Sequence, residues 1–351
     1  MQNTENADVY ISHVHGLLHW EKNLPNKKAL VQPLANGEVI SYTWMEVAQQ
    51  VRCIATYLLS LNLPKGTSIA IYGKNSAHWI MADLAIWMAG HVSVPLYPTL
   101  NAEGATYVLE HSDAKVLFIG KLDGKTDSWN EVKDQIPAHL TCICLALAPE
   151  FDAPKWDDIV ENTAPLDQVI LPEPSQLATI IYTSGSTGLP KGVMQSFGTL
   201  LAGARELQTK YQVTEADRAL SYLPLAHVAE RIFIECTLMI SGFTAYFANS
   251  IETFVEDLNR AQPTLFFSVP RLWTKFYLGI NEKIPLHVQK ILFKIPVLGK
   301  IVKKKLLTKL GLNKVRYAFT ASAPLPTDII LWYRNLGLEL LEVYGMTENC
   351  G

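Results

Sequence analysis

The chain has 351 residues, 49% of them hydrophobic and 18% charged, which is long enough for two large lobes with cores of their own and too apolar for a disordered chain. A net charge of −3 gives no global case for nucleic-acid binding. The start, Met1-Gln2-Asn3-Thr4-Glu5-Asn6, lacks the basic and apolar regions of a signal peptide, and the best apolar run, Trp79 to Leu96, is interrupted by Asp83, Gly90 and His91 and reads as no bilayer span.

In chain order, His13 and His15 fall in a polar N-terminal segment with no metal role expected. Thr43 with Glu46 forms a capping box ahead of a helix whose apolar face is Val47, Val51, Ile54 and Leu58. A strand over Ser68 to Tyr72 comes after the Lys65-Gly66 turn. Ser76 then caps a helix ending near Gly90, and Val92 to Val94 is the next strand. A helix over Ala102 to His111 leads to a strand over Lys115 to Ile119. A Pro- and Asp-rich stretch, Ala148 to Pro174, reads as a connector. The pattern then restarts, with strands at Thr179–Thr183, Ala219–Tyr222, Thr244–Phe247, Thr264–Ser268, Val315–Thr320 and Glu339–Val343. The alternation implies an α/β fold with mainly parallel sheets layered with helices, divided into a first subdomain over 1–174 and a second over 175–351.

Cys53, Cys142, Cys144, Cys236 and Cys350 show no zinc spacing and read as buried free thiols in a reducing cytoplasm, with Cys142 and Cys144 on one strand face. The segment Gln289 to Leu310 mixes aliphatic residues with Lys294, Lys300, Lys303, Lys304, Lys305 and Lys309, and is broken by Pro296 and Gly299. Its pattern fits a solvated helix packed on the core, the preferred reading, and also a peripheral contact with a membrane surface.

The strongest chemical signal is Tyr182-Thr183-Ser184-Gly185-Ser186-Thr187-Gly188-Leu189-Pro190-Lys191-Gly192-Val193, directly after the apolar stretch Ala178 to Ile181. Glycines let backbone N–H groups turn toward one point, and hydroxyls and an ammonium add donors there, which suits a polyphosphate. It is not a Walker loop, because Lys191 is followed by Gly192. A near match at Gly120-Lys121-Leu122-Asp123-Gly124-Lys125-Thr126 is one residue short and reads as an exposed turn.

The glycine-rich run resembles the signature of the acyl-adenylate-forming superfamily, and three further blocks resemble it in the same order. These are Ser221-Tyr222-Leu223-Pro224-Leu225-Ala226-His227-Val228, Thr320-Ala321-Ser322-Ala323-Pro324-Leu325 and Tyr344-Gly345-Met346-Thr347-Glu348. The blocks with Glu230-Arg231 and Ser268-Val269-Pro270-Arg271-Leu272-Trp273 look like long-chain fatty acyl-CoA synthetases. The resemblance runs from about Ala29 onward and corresponds to the large N-terminal domain, without the small C-terminal domain and its lysine.

The resemblance implies a ligase that joins a fatty acid to CoA through an acyl-adenylate, using ATP and Mg²⁺. Thr183, Ser184, Gly185, Ser186, Thr187, Gly188 and Lys191 would hold the β- and γ-phosphates, Thr347 the α-phosphate, and Glu348 the Mg²⁺. Tyr344, with Gly345 and Met346 beside it, would stack on adenine against the Ser322-Ala323-Pro324 backbone, and His227 would sit beside the carboxylate and the acyl channel. Tyr344 also fits a core aromatic, Glu348 a helix cap, and Trp273 either a channel gate or a core residue. The family commonly has Gly where Ala321 or Ser322 stands here. The alternatives are another apolar acid, a carrier-protein thiol as acceptor, or a non-catalytic lipid- or nucleotide-binding module. The 351 residues alone are expected to turn over poorly. The implied location is cytoplasmic, with peripheral membrane contact through 289–310 as the further option.

Overall fold

Local capping chemistry sets the first helices where the sequence places them. In the computed structural model, which describes residues 12–183 and 189–350, the Thr43 hydroxyl accepts the Glu46 N–H and the Glu46 carboxylate accepts the Thr43 N–H at 2.7 Å. The helix Trp44–Ser60 begins there, with Val47, Val51, Ile54 and Leu58 all fully buried. Ser76 caps Ala77–Met88 by accepting the Trp79 N–H. That helix is buried on every side because it lies within the core shared by the layers.

The strands are β1 (Lys28–Pro33), β2 (Val39–Thr43), β3 (Ser68–Tyr72), β4 (Val92–Leu96), β5 (Val116–Ile119), β6 (Thr141–Cys144), β7 (Leu177–Thr183), β8 (Lys191–Ser196), β9 (Arg218–Ser221), β10 (Thr244–Phe247), β11 (Leu265–Ser268), β12 (Tyr317–Thr320) and β13 (Leu340–Glu342). One sheet has the order β6-β5-β3-β4-β7-β8, parallel except for the edge strand β8. The others are β2-β1-β10-β9 and β11-β12-β13, parallel except for β2. These two abut, because Thr264 N–H donates to the Arg218 carbonyl and Arg218 N–H to Thr264 Oγ1, both at 2.9 Å. The result is the expected pair of mainly parallel layers with helices between and around them.

Three expectations are corrected. The division at 174/175 does not separate sheets: β7 and β8 complete the first layer, while β1 and β2 join β9 and β10 in the second. The stretch from Ala148 to Pro174 is only partly connector, since it contains the helix Trp156–Asn162, whose fully buried Trp156 donates to Gln50 Oε1 at 2.8 Å. His13 lies in no polar segment. It starts the helix His13–Asn23, is fully buried against Trp87, and is held neutral, its pKa lowered by burial to about 3. Cys53, Cys144, Cys236 and Cys350 are buried free thiols, and Cys142 is half-buried. Among the described residues no helix is long and apolar enough to cross a membrane.

Candidate active site

Register brings the site together. Ser268, Thr320 and Glu342, the last residues of β11, β12 and β13, are mutual partners. The segments leaving these three strands therefore emerge side by side at the carboxyl edge, where open α/β sheets place ligands. Ala321 and Ser322 come directly after β12, and Val343 to Thr347 directly after β13. Together with His227 they line a cavity of about 630 Å³. Its walls are Ile232, Phe233, Phe267, Phe319 and Val343, closed by Gly203, Leu207 and Tyr211 from the helix Phe197–Tyr211.

The loop carrying His227 is held from two directions. Asn75, in the turn between β3 and the helix Ala77–Met88, accepts the Leu225 N–H at 3.0 Å and donates to the Leu223 carbonyl at 2.6 Å and Ser221 Oγ at 2.8 Å. Glu230 accepts from Ser221 Oγ and from the Tyr222 N–H, both at 2.9 Å. Burial pushes the Glu230 carboxyl up to about 8, so it is mostly protonated at neutral pH and adds little charge beside the site. His227 accepts the Ala229 N–H on Nδ1 at 3.1 Å, which leaves its ring proton on Nε2. Burial lowers its pKa, so the imidazole meets a ligand neutral and as a donor.

Behind His227 a π-helical turn, Arg231–Cys236, carries the fully buried Arg231. Its guanidinium donates to Asp83, to Thr179 Oγ1 at 2.8 Å, to Ser93 Oγ at 3.2 Å and to Glu235 at 3.1 Å. It also lies over the rings of Trp79 and Trp87. Burial, with the Asp83 charge adding to it, pushes Glu235 well above the usual carboxylate range, which leaves one buried carboxylate to balance one guanidinium. The turn that supplies Ile232 and Phe233 to the cavity is thereby fixed to β4, β7 and the helix Ala77–Met88.

Of the residues singled out in the sequence, His227, Ser322, Tyr344, Gly345, Met346 and Thr347 line this cavity. Tyr344 is 87% exposed and is no core aromatic, so its ring face is open. Thr347 is buried, and its carbonyl accepts from Gln195 of β8 at 2.6 Å. Thr183 and Lys191 are register partners at the ends of β7 and β8, where the glycine-rich run leaves and rejoins the sheet. Ser184, Gly185, Ser186, Thr187 and Gly188 lie outside the described residues.

Five described candidates, Thr183 and Lys191 at the strand ends and Ala323, Pro324 and Glu348, are not brought to the cavity wall. Ala323 and Pro324 are exposed beside it, Pro324 bordering a surface groove with Pro270 and Pro326, and Glu348 is exposed on the turn Thr347–Asn349. Trp273 is a core residue and no gate: it is fully buried, edge-on to Phe266 and Tyr333. Ser322 has φ +74°, a left-handed backbone that favours glycine, and this accounts for the Gly common at this block.

The near-match turn at 120–126 holds no phosphate cradle. The four N–H groups at its tip are already taken, Lys125 and Thr126 donating to Asp123, and Asp123 and Gly124 donating to Asp127. Asn75, Gly203 and Arg231 carry roles that sequence reading missed. Arg231 enters the sequence reading only as part of a family-like block, and Gly203 had a local signal, a glycine in the middle of a helix on the same face as Leu207 and Tyr211.

Comparison with known proteins decides the family. The profile described as AMP-binding enzyme matches residues 17–351. The chain belongs to the AMP-binding enzyme family. A long-chain-fatty-acid–CoA ligase of Rattus norvegicus, ACSBG2, is 30% identical over 88% of this chain and 52% of its own length. Long chain acyl-CoA synthetase 5 of Arabidopsis thaliana is 27% identical over 93% of this chain and 55% of its own. The chain thus spans about half the length of the curated relatives it matches. Among solved structures, the adenylation domain of a carboxylate reductase from Mycobacterium chelonae superimposes with a TM-score of 0.80 at 20% identity, over 97% of this chain and 58% of that one. The fold of this AMP-binding family member is accordingly that of adenylation domains.

Proposed function

We propose that the chain supplies the nucleotide- and acid-binding part of a ligase that activates a long-chain fatty acid as its acyl-adenylate and passes the acyl group to CoA. The observation that carries this reading is the single cavity in which His227, Ser322 and Tyr344–Thr347 meet an apolar wall of Ile232, Phe233, Phe267 and Phe319. A carboxylate is a poor acyl donor. Attack of its oxygen on the α-phosphorus of ATP, with pyrophosphate leaving, gives it a good leaving group. In this reading neutral His227 donates Nε2–H to the carboxylate, Thr347 meets the α-phosphate, and Tyr344 stacks on adenine. Thr183, Lys191 and the run 184–188 would hold the β- and γ-phosphates.

Among the described residues no group of three or more His, Cys, Asp or Glu is placed to hold a resident metal. Exposed Glu348 instead fits a magnesium that arrives on the triphosphate and needs one protein carboxylate, where it would neutralise phosphate charge.

The test is calorimetric binding of non-hydrolysable acyl-adenylate analogues of increasing alkyl length. Each buried methylene contributes about 0.8 kcal/mol, so affinity should rise about fourfold per CH₂ until the cavity is full. Gly203→Leu should end that rise at a shorter chain, because Gly203 lines the cavity and a Cβ there already stands 3.1 Å from the Cys350 carbonyl and 3.4 Å from Ile232. Affinity independent of alkyl length would sink the fatty-acid assignment.

A further inference from the structure

Residues 271–316 carry twelve Lys and Arg side chains and one acidic side chain, Glu282, in a chain of net charge −3. Positive charge is therefore gathered on one stretch. Within it, the helices Leu286–Leu292 and Leu298–Lys309 form a hairpin. One apolar set on this hairpin is used by the fold, since Phe293, Val302, Leu306 and Leu307 pack on the core around Trp273 and Trp332. A second set is in water. Ile291 is 64% exposed and Val297 69%, and Ile295, Leu298 and Ile301 are exposed with them. Packing gives no reason for five exposed aliphatic residues within eleven positions.

The turn between the helices presents them. Leu298 N–H donates to the Pro296 carbonyl at 2.7 Å, and Val297 has φ +64° and ψ −58°. This is a γ-turn of the strained hand, with a β-branched residue at its apex. Leu298, Ile301 and Lys305 succeed one another along one side of the second helix. Lys300, Lys303 and Lys304 border a cleft of about 310 Å³ closed by Asn335, to which Lys303 donates at 2.9 Å.

We propose that this hairpin docks the protein on an anionic lipid surface, with the Val297 turn and Ile291, Ile295, Leu298 and Ile301 entering the headgroup–acyl boundary while the lysines meet lipid phosphates. The combination selects the partner. A soluble polyanion would use the lysines and leave the aliphatic tip without a role. A hydrophobic protein groove would use the tip and leave so dense a positive charge without one. A membrane surface uses both, each basic residue near it strengthening attachment about fivefold.

The test is co-sedimentation of the chain with phosphatidylcholine vesicles prepared with and without phosphatidylglycerol. Binding is expected only with phosphatidylglycerol and should weaken with salt. Val297→Asp with Ile301→Asp, and separately Lys300→Glu with Lys304→Glu, should each lower it about tenfold or more. Neither pair should move the melting temperature, because these side chains are largely outside the core. Equal binding to both vesicles would overturn the proposal, as would no binding to either. Loss with the lysine pair but not with the aliphatic pair would also overturn insertion and leave a soluble polyanion as the occupant.

Discussion

The inner wall of the cavity and its outer rim are built on opposite terms. The wall is over-determined: Arg231 uses its donors on four side chains, and Asn75 and Glu230 bracket the His227 loop. The rim is lightly held. Tyr344, Met346 and Glu348 are exposed, and Ser322 keeps an unfavourable backbone. The contrast teaches where specificity and where exchange reside. On the function proposed above, an apolar tail would meet a surface that cannot adapt, whereas a nucleotide would meet groups that its own contacts can order.

The largest expected break in this contrast is Arg231→Met, which strands the buried Asp83 charge and should cost about 3–5 kcal/mol, read as a shift in the denaturant midpoint. A loss near zero would mean that the Arg231–Asp83 pair does not carry the stability of this wall.

A smaller effect comes from His13, buried behind the same cluster, with neither ring nitrogen hydrogen-bonded among the described residues. Its folded pKa of about 3 lies below the ordinary 6.5, so its share of stability is full above pH 6.5 and falls as pH drops toward 3. The slope is about 1.4 kcal/mol per pH unit. His78, lowered by burial to about 4, adds a slope of the same sign between 6.5 and 4. His13→Phe should remove one share of the slope while keeping stability at pH 7. An unchanged slope in urea titrations across that window would place the acid sensitivity elsewhere.

On the rim, Ser322→Gly should stabilise by about 1 kcal/mol, because glycine adopts a positive φ without the Cβ clash. Smallest in stability is Tyr344→Ala, expected within about 0.5 kcal/mol by thermal melting because the ring is 87% exposed. The same variant should weaken adenylate-analogue binding by about 1–3 kcal/mol, the range for stacking on a base. Unchanged binding would remove Tyr344 from the nucleotide site.

Much of this was legible along the chain. The capping box at Thr43 and Glu46, the Ser76 cap and the strand Ser68–Tyr72 depend on residues within a few positions of each other, and the structure places them as expected. The helix Trp156–Asn162 was missed because it is only seven residues long: Trp156, Ile159 and Val160 stand at helical spacing among Pro and Asp, and Trp156 is held by the core and by Gln50. Asn75 was missed for the same reason, its partners Leu223 and Leu225 being remote in sequence.

The sequence by itself determined the family blocks, their order and the layered α/β alternation, because glycine turns, caps and apolar periodicity act over short range. Only the tertiary structure decided that Trp273 is core, that Ser322 occupies glycine's conformation, and that the strand ends at Ser268, Thr320 and Glu342 lie abreast. These depend on which side chains are excluded from water and how strands pair, and both are settled between segments far apart in the chain.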